Sequence, residues 1–156
     1  MKRREARKVA LQILYQLDLN PEDPEAVLEG WREASGLPDH LWEFVRRLVK
    51  GVRENQREID RYIEGASHRW RVDRMDRVDR NILRMGVYEL LFCDDIPMKV
   101  AINEAVELSK KFGSSDDSKG FVNAILDRIA KTVLVEDADG PEGLQDLDGR
   151  RIDSVG

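Results

Sequence analysis

Apolar residues recur at spacings of three and four along most of the chain, which is the pattern of amphipathic helices. The first pattern predicts a helix over about residues 4–19, which Pro21 ends. Its apolar face consists of Ala6, Ala10, Ile13, Leu14 and Leu17. A second, short helix is predicted from Pro24 to near Gly36, with Asp23 as its N-cap.

A third and longer pattern begins near Pro38 and reaches Gly65, so we predict one long helix there. A single apolar stripe runs through it, made of Leu41, Phe44, Val45, Leu48, Val49, Val52, Ile59, Tyr62 and Ile63. The segment around Trp70 then predicts a short turn before the second half of the chain.

The second half contains three more helical patterns and no convincing strand, since no run of residues alternates with period two. Asp76 is the predicted N-cap of the first of these helices, and Gly86 within it indicates a close contact with another helix. The next helix follows Pro97, and a polar turn at 113–117 separates it from the last. The last helix carries Phe121, Val122, Ile125, Leu126, Ile129 and Val133.

These patterns predict an all-α fold with a single domain over residues 1–134, built from two packed helical halves at about 3–65 and 67–134. Residues 135–156 are acidic, contain glycine and lack aromatic side chains, which predicts a disordered tail. Docking of this tail on the basic N-terminus is the alternative to a solvated tail.

Charge is distributed unevenly along the chain. The net charge is −5, and residues 135–156 alone carry −5, so residues 1–134 are close to neutral. Residues 2–8 nevertheless carry a local charge of +4. Cations in the first turn of a helix oppose its dipole, and phosphate binding would offset that repulsion. The candidate nucleic-acid contacts are therefore Arg3, Arg4, Arg7 and Lys8, and a solubilising N-terminus is the alternative.

A second candidate nucleic-acid contact lies where the last helix begins. Lys119 precedes Phe121 at a helix N-terminus, where free backbone amides attract anions. An exposed Phe121 ring would stack on a base. The alternative is that Phe121 is simply the first core residue of the helix.

Composition argues against several other classes of protein. One cysteine, Cys93, forms no internal disulfide, and its apolar surroundings favour a buried structural thiol over a nucleophile. No apolar run approaches the roughly 18 residues needed to span a membrane, and no catalytic or metal-binding motif is present. We expect a cytoplasmic protein without enzymatic activity, cofactor or metal.

Two stretches near the C-terminal end carry a resemblance to a known family. They are Pro97-Met98-Lys99-Val100-Ala101-Ile102-Asn103-Glu104-Ala105-Val106-Glu107-Leu108 and Phe121-Val122-Asn123-Ala124-Ile125-Leu126-Asp127, with Lys111-Phe112-Gly113 between them. The helix at 80–90 and the opening residues 3–15 support the same match. Over about residues 3–131, the chain resembles the NusB family of bacterial transcription antitermination factors.

The resemblance implies an all-helical protein of about seven helices in two packed subdomains. It also implies binding of single-stranded boxA RNA in ribosomal operons, together with the small-subunit ribosomal protein that serves as NusE. That pair would join other Nus factors on RNA polymerase and suppress premature termination. No enzymatic activity is implied.

The resemblance also assigns individual positions. Arg3, Arg4 and Arg7 correspond to an arginine-rich RNA-binding arm, although Glu5 departs from a wholly basic arm. Phe121 matches an aromatic residue that contacts RNA, with Lys119 beside it. Asp117, or alternatively Asp116, falls in a turn that modulates RNA affinity. Positions associated with the ribosomal-protein partner are matched by Tyr15, Asp79, Arg84 and Glu104.

Two other functions stay open at this point. One is a helical protein-interaction module that does not bind RNA. The other is an accessory domain related to ribosomal RNA methyltransferases, for which 156 residues leave no room for a methyl-donor domain. The chain is either a monomer or a homodimer whose interface hides the basic arm.

Overall fold

The computed structural model of the chain describes residues 2–68 and 70–139. Within these residues the fold consists of seven α-helices and one short 3-10 helix, with no strand. The α-helices are α1 (Arg3–Leu19), α2 (Pro24–Ser35), α3 (Asp39–Glu54), α4 (Gln56–Ser67), α5 (Arg77–Phe92), α6 (Met98–Phe112) and α7 (Ser118–Asp139), and the 3-10 helix spans Val72–Arg74. The predicted all-α fold is confirmed.

Helix α5 is the centre of the molecule, because it packs against five other helices, α1, α3, α4, α6 and α7. Ten of its sixteen residues are buried. Gly86 permits the close approach, since a Cβ at this position would lie 2.8 Å from Leu126 Cδ1 and 3.4 Å from Ala105 Cβ. The close helix contact predicted at Gly86 is therefore confirmed.

Local capping chemistry sets the ends of two helices as the sequence predicts. Asp23 accepts a hydrogen bond from the amide of Glu25 at 3.3 Å, and Gly36 adopts a left-handed backbone with φ 68° at the other end of α2. Asp76 accepts hydrogen bonds from the amides of Val78 at 2.9 Å and Asp79 at 3.2 Å, which starts α5.

The single long helix predicted from Pro38 to Gly65 is wrong. The chain forms two helices, α3 and α4, which meet at Asn55 with φ −113° and ψ 15°. The Asn55 side-chain amide donates to the carbonyl of Gly51 at 2.8 Å, and asparagine side chains compete in this way with regular helical bonding. Both helices turn their apolar faces to the core, so the stripe continues across the break.

The last helix continues to Asp139, past residue 134 where we predicted the helical domain to end. Residues 140–156, most of the predicted acidic tail, lie outside the described residues. In the described part of the chain, no helix combines the length and the apolar character that crossing a membrane requires.

Candidate nucleic-acid interface

The first turn of α1 places two arginines at the surface. The Arg3 guanidinium lies 4.2 Å from the centre of the Phe44 ring and reaches Asp95 at 3.4 Å. Arg4 donates from Nε and Nη2 to the two carboxylate oxygens of Glu104, at 3.1 and 2.8 Å. The Arg3 side chain is 45% exposed and that of Arg4 is 59% exposed. Both arginines are positioned by acidic neighbours and still face solvent.

Arg7 differs from these two arginines, because it points into the core. It donates three hydrogen bonds to the buried carboxylate of Glu89, at 3.0, 2.9 and 2.7 Å. Only 4% of Arg7 and 2% of Glu89 is exposed. Burial raises the pKa of Glu89, and the hydrogen bonds and charge of Arg7 oppose that rise. The structure therefore does not present Arg7 on the surface where we predicted an RNA contact.

Glu104 connects the exposed and the buried arginines. Its carboxylate holds Arg4 and also lies 3.6 Å from Arg7 Nη1. The hydrogen bond from Arg4 lowers the pKa of Glu104, with further help from the charges of Arg7 and Arg4. Lys8 is half-buried and lines a shallow cleft with Arg4, Glu104, Lys111 and Phe112 among others. The cleft between α1 and α6 thus carries both charges, because three glutamates line it together with three cations: Glu5, Glu104 and Glu107 with Arg4, Lys8 and Lys111.

An apolar groove continues from this cleft across α1. It has a volume of about 370 Å³. Its lining comprises Lys8, Leu11, Gln12, Tyr15, Trp31, Val78 and Phe112. Tyr15 and Phe112 are each 37% exposed, which leaves two aromatic rings in contact with water. Since Lys8 and Phe112 line both depressions, the charged cleft and the apolar groove form one continuous surface.

Asp79 fastens the turn between α6 and α7 to the start of α5. Its carboxylate accepts hydrogen bonds from the Ser114 amide at 3.2 Å, the Ser114 hydroxyl at 2.7 Å and the Ser118 hydroxyl at 3.2 Å. Asp79 is only 6% exposed, whereas Asp117 and Lys119 are exposed nearby. Asp79 is thus placed to shape this turn, and little of it is available for contact with a partner.

Arg84, the fourth residue expected at the partner surface, is also buried. It is 5% exposed, and its guanidinium donates to Asp60 at 2.9 and 3.0 Å and to Asp18 at 3.4 Å. These bonds tie α4 and α1 to α5. The structure therefore leaves little of Arg84 accessible to a partner.

Phe121 lies in the first turn of α7, half-buried against the core. It lines an open groove of about 400 Å³ together with Trp70, which is 55% exposed. Sequence reasoning did not select Trp70 as a functional residue. The sequence feature that could have identified it is a single tryptophan in the polar segment between α4 and the 3-10 helix.

Cys93 is 1% exposed, and burial raises its pKa to about 12. A thiol in this state is a poor nucleophile at neutral pH. Among the residues that the structure describes, no group of three or more His, Cys, Asp or Glu side chains is arranged to hold a metal ion.

Solved structures match this arrangement of helices. The structure of T. maritima NusB matches with a TM-score of 0.78 and 40% sequence identity, covering 84% of this chain and 92% of that one. A crystal structure of antitermination factors NusB and NusE in complex with double-stranded RNA matches with a TM-score of 0.75 and 31% identity, covering 83% and 96%.

Sequence comparison gives the same result. The chain is 50% identical over 133 residues to the transcription antitermination protein NusB of Myxococcus xanthus, covering 82% of this chain and 94% of that protein. It is 47% identical over 132 residues to the protein of the same name from Pelotomaculum thermopropionicum, covering 85% and 91%. The model of the NusB family matches residues 4–131. This chain therefore belongs to the NusB family.

Proposed function

We propose that this chain is an RNA-binding transcription antitermination factor of the cytoplasm, which acts by binding and not by catalysis. It binds boxA RNA of ribosomal operons together with the ribosomal protein NusE, and with other Nus factors it helps RNA polymerase to resist termination. The names of its relatives and the solved complex of NusB, NusE and RNA support this proposal.

The observation that carries the proposal is the exposure of Arg3 and Arg4 at the start of α1. A guanidinium has five N–H donors, and the hydrogen bonds of Arg4 to Glu104 use only Nε and Nη2. Arg3 reaches Asp95 only at 3.4 Å, which is a long hydrogen bond. Both side chains therefore retain donors for a phosphate, and Lys8 adds a third charge beside them. Lys119 and Phe121 provide the second contact, and exposed Asp117 moderates it by repelling phosphate.

NusE would dock on the surface formed by Glu104 and the apolar groove around Tyr15. The groove supplies apolar area and the carboxylate attracts a basic side chain of the partner. Since residues 1–134 carry no net charge, the affinity of the chain for RNA alone is modest. A basic partner next to Arg4 enlarges the positive surface, so that RNA and NusE bind cooperatively.

Titration of single-stranded boxA RNA, with and without NusE, tests this proposal. The double variant Arg3→Ala/Arg4→Ala removes both exposed arginines, and Arg57→Ala/Arg61→Ala removes two exposed arginines from α4 as a matched control. We expect only the first variant to lose RNA affinity, with a slope of log affinity against log salt reduced by about 1.4 for two single-strand phosphate contacts.

Three results would contradict parts of the proposal. If the two double variants lose RNA affinity equally, Arg3 and Arg4 are not a specific RNA contact. RNA affinity that NusE does not change would reject cooperative binding. NusE binding by a wild-type chain that does not bind RNA would identify a protein-interaction module instead. Arg7 is left out of the variants, because its removal disturbs the core.

A further inference from the structure

The two exposed arginines of α1 are held by their acidic neighbours with different strength. Arg4 donates hydrogen bonds of 3.1 and 2.8 Å to the two carboxylate oxygens of Glu104. Arg3 reaches Asp95 only at 3.4 Å, from both Nη1 and Nη2, which is longer than usual for such a bond. Its guanidinium lies instead over the ring of buried Phe44, 4.2 Å from the ring centre. Arg3 is therefore positioned mainly by an aromatic ring, and its donors stay available.

The weak hold of Asp95 on Arg3 has a visible cause, because a second arginine binds the same carboxylate. Arg47 of α3 donates from Nη2 to Asp95 Oδ1 at 2.5 Å and from Nη1 to Oδ2 at 3.1 Å. Both hydrogen bonds from Arg3 go to that same Oδ2. The hydrogen bond from Arg47 is also the main reason why the pKa of Asp95 is lowered to about 2. Asp95 is thus paired first with Arg47 and only second with Arg3.

This sharing matters more for Arg3 than for the stability of the fold. The side chains of Arg47 and Asp95 are 35% and 47% exposed, and ion pairs with this exposure contribute little to stability. One carboxylate, however, has a single negative charge to divide between two guanidiniums. Without Arg47, Asp95 would be free to form with Arg3 the short, two-pronged pair that Glu104 forms with Arg4. A phosphate would then have to break that pair before it could bind Arg3.

We propose that Arg47 is a positioning residue for RNA binding, which occupies Asp95 and thereby leaves Arg3 free to bind a phosphate. This inference rests on the proposed function, since it assumes that Arg3 contacts RNA. It gives α3 a role in RNA binding although Arg47 itself does not touch the RNA.

The test is a titration of single-stranded boxA RNA with the full chain in the presence of NusE. Arg47→Ala should weaken RNA binding roughly 2- to 5-fold, the contribution of one exposed ion pair. The slope of log affinity against log salt should fall by up to about 0.7, for one single-strand phosphate contact. Arg46→Ala is the matched control, because Arg46 is a neighbouring arginine of α3 with 39% exposure that pairs with Glu25 instead of Asp95. It should not change RNA affinity.

Two backgrounds show whether Arg47 acts through the other two side chains. In Asp95→Asn the charge that captures Arg3 is gone, so adding Arg47→Ala should have no further effect on RNA affinity. In Arg3→Ala the phosphate contact itself is gone, so adding Arg47→Ala should again have no further effect. Arg47→Lys keeps a cation beside Asp95 and should retain most of the wild-type affinity. Circular dichroism of each variant compares their melting temperatures.

Several outcomes would overturn the positioning role. If Arg47→Ala lowers RNA affinity by the same factor in all three backgrounds, Arg47 contacts RNA itself or only supports the fold. If Arg47→Ala binds RNA as the wild type does while Arg3→Ala is weakened, the inference fails and the proposed function stands. Asp95→Asn alone should not weaken RNA binding, and a loss there would contradict the inference even if Arg47→Ala did not fold. A wild-type complex that does not bind RNA would reject both proposals.

Discussion

Replacing Arg7 should destabilise the fold rather than remove an RNA contact. The change Arg7→Met keeps the length of the side chain and removes its charge. Three hydrogen bonds to Glu89 are then lost, and the carboxylate stays where only 2% of the residue is exposed. Breaking one partner of a buried ion pair costs about 3–5 kcal/mol. For a chain of this size we therefore expect a melting temperature lower by about 6–20 °C.

The assay is thermal and urea unfolding followed by circular dichroism, with Arg3→Met as the matched control. Arg3 belongs to the same turn but is exposed, so its loss should cost less than about 1 kcal/mol. A second change, Glu89→Met, removes the stranded carboxylate. It should restore most of the free energy of unfolding that Arg7→Met loses, since apolar residues of similar volume replace buried ion pairs well.

The Arg7→Met variant should also respond to pH in a defined direction. Burial raises the pKa of Glu89, and without Arg7 the opposing influence on the pKa is gone. The folded state then favours the protonated form of Glu89. Its contribution to the free energy of unfolding is fully present below the unfolded-state pKa of about 4.3 and is lost as the pH rises through the higher folded-state pKa. If Arg7→Met melts like Arg3→Met and binds RNA as weakly as Arg3→Ala/Arg4→Ala, the assignment of Arg7 to the core is refuted.

Three further predictions concern the frame around the interface. Gly51→Ala places a Cβ into the Tyr88 ring and should cost about 1–3 kcal/mol in urea unfolding; an unchanged midpoint would contradict this packing. Asp79→Ala leaves the amide and hydroxyl of Ser114 without their acceptor and should lower the free energy of unfolding by about 1–3 kcal/mol; wild-type stability would show that the turn does not depend on Asp79. Cys93, whose pKa burial raises to about 12, should react with a thiol reagent at pH 8 only on unfolding, and rapid reaction of the native chain would refute its burial.

Features that depend on neighbouring residues could be predicted from the sequence. The caps at Asp23 and Asp76 follow from side-chain hydrogen bonds to amides two or three residues away. The break at Asn55 is also local, but the apolar stripe does not reveal it. Both helices pack their apolar faces against α5, so the hydrophobic pattern continues where the helix does not.

The division of the arginine cluster depends on residues far apart in sequence. Arg7 lies three residues before Ala10 and seven before Leu14, which places it on the buried face of α1. An unpaired arginine is unfavourable there, and Glu89, 82 residues away, makes the position acceptable. Nothing near Arg7 in the sequence identifies this partner, so a cluster of basic residues was interpreted as one surface arm. The groove at Trp70 was missed for the same reason, because Phe121 lies 51 positions later.

The buried pair nevertheless serves the surface arm. Arg7 anchors the first turn of α1 to α5. In the proposed complex, Arg3 and Arg4 would therefore project from a backbone that is already ordered and would lose less entropy on binding RNA. The repulsion of these cations by the helix dipole is offset by Asp95 and Glu104, with which a phosphate must compete. In our proposal a basic side chain of NusE pairs with Glu104 and weakens the hydrogen bonds between Glu104 and Arg4. The Arg4 guanidinium is then free to bind RNA. Glu104→Gln should therefore raise the RNA affinity of the chain alone and reduce the factor by which NusE increases that affinity. If the RNA affinities with and without NusE change by the same factor, Glu104 does not couple the binding of RNA and NusE.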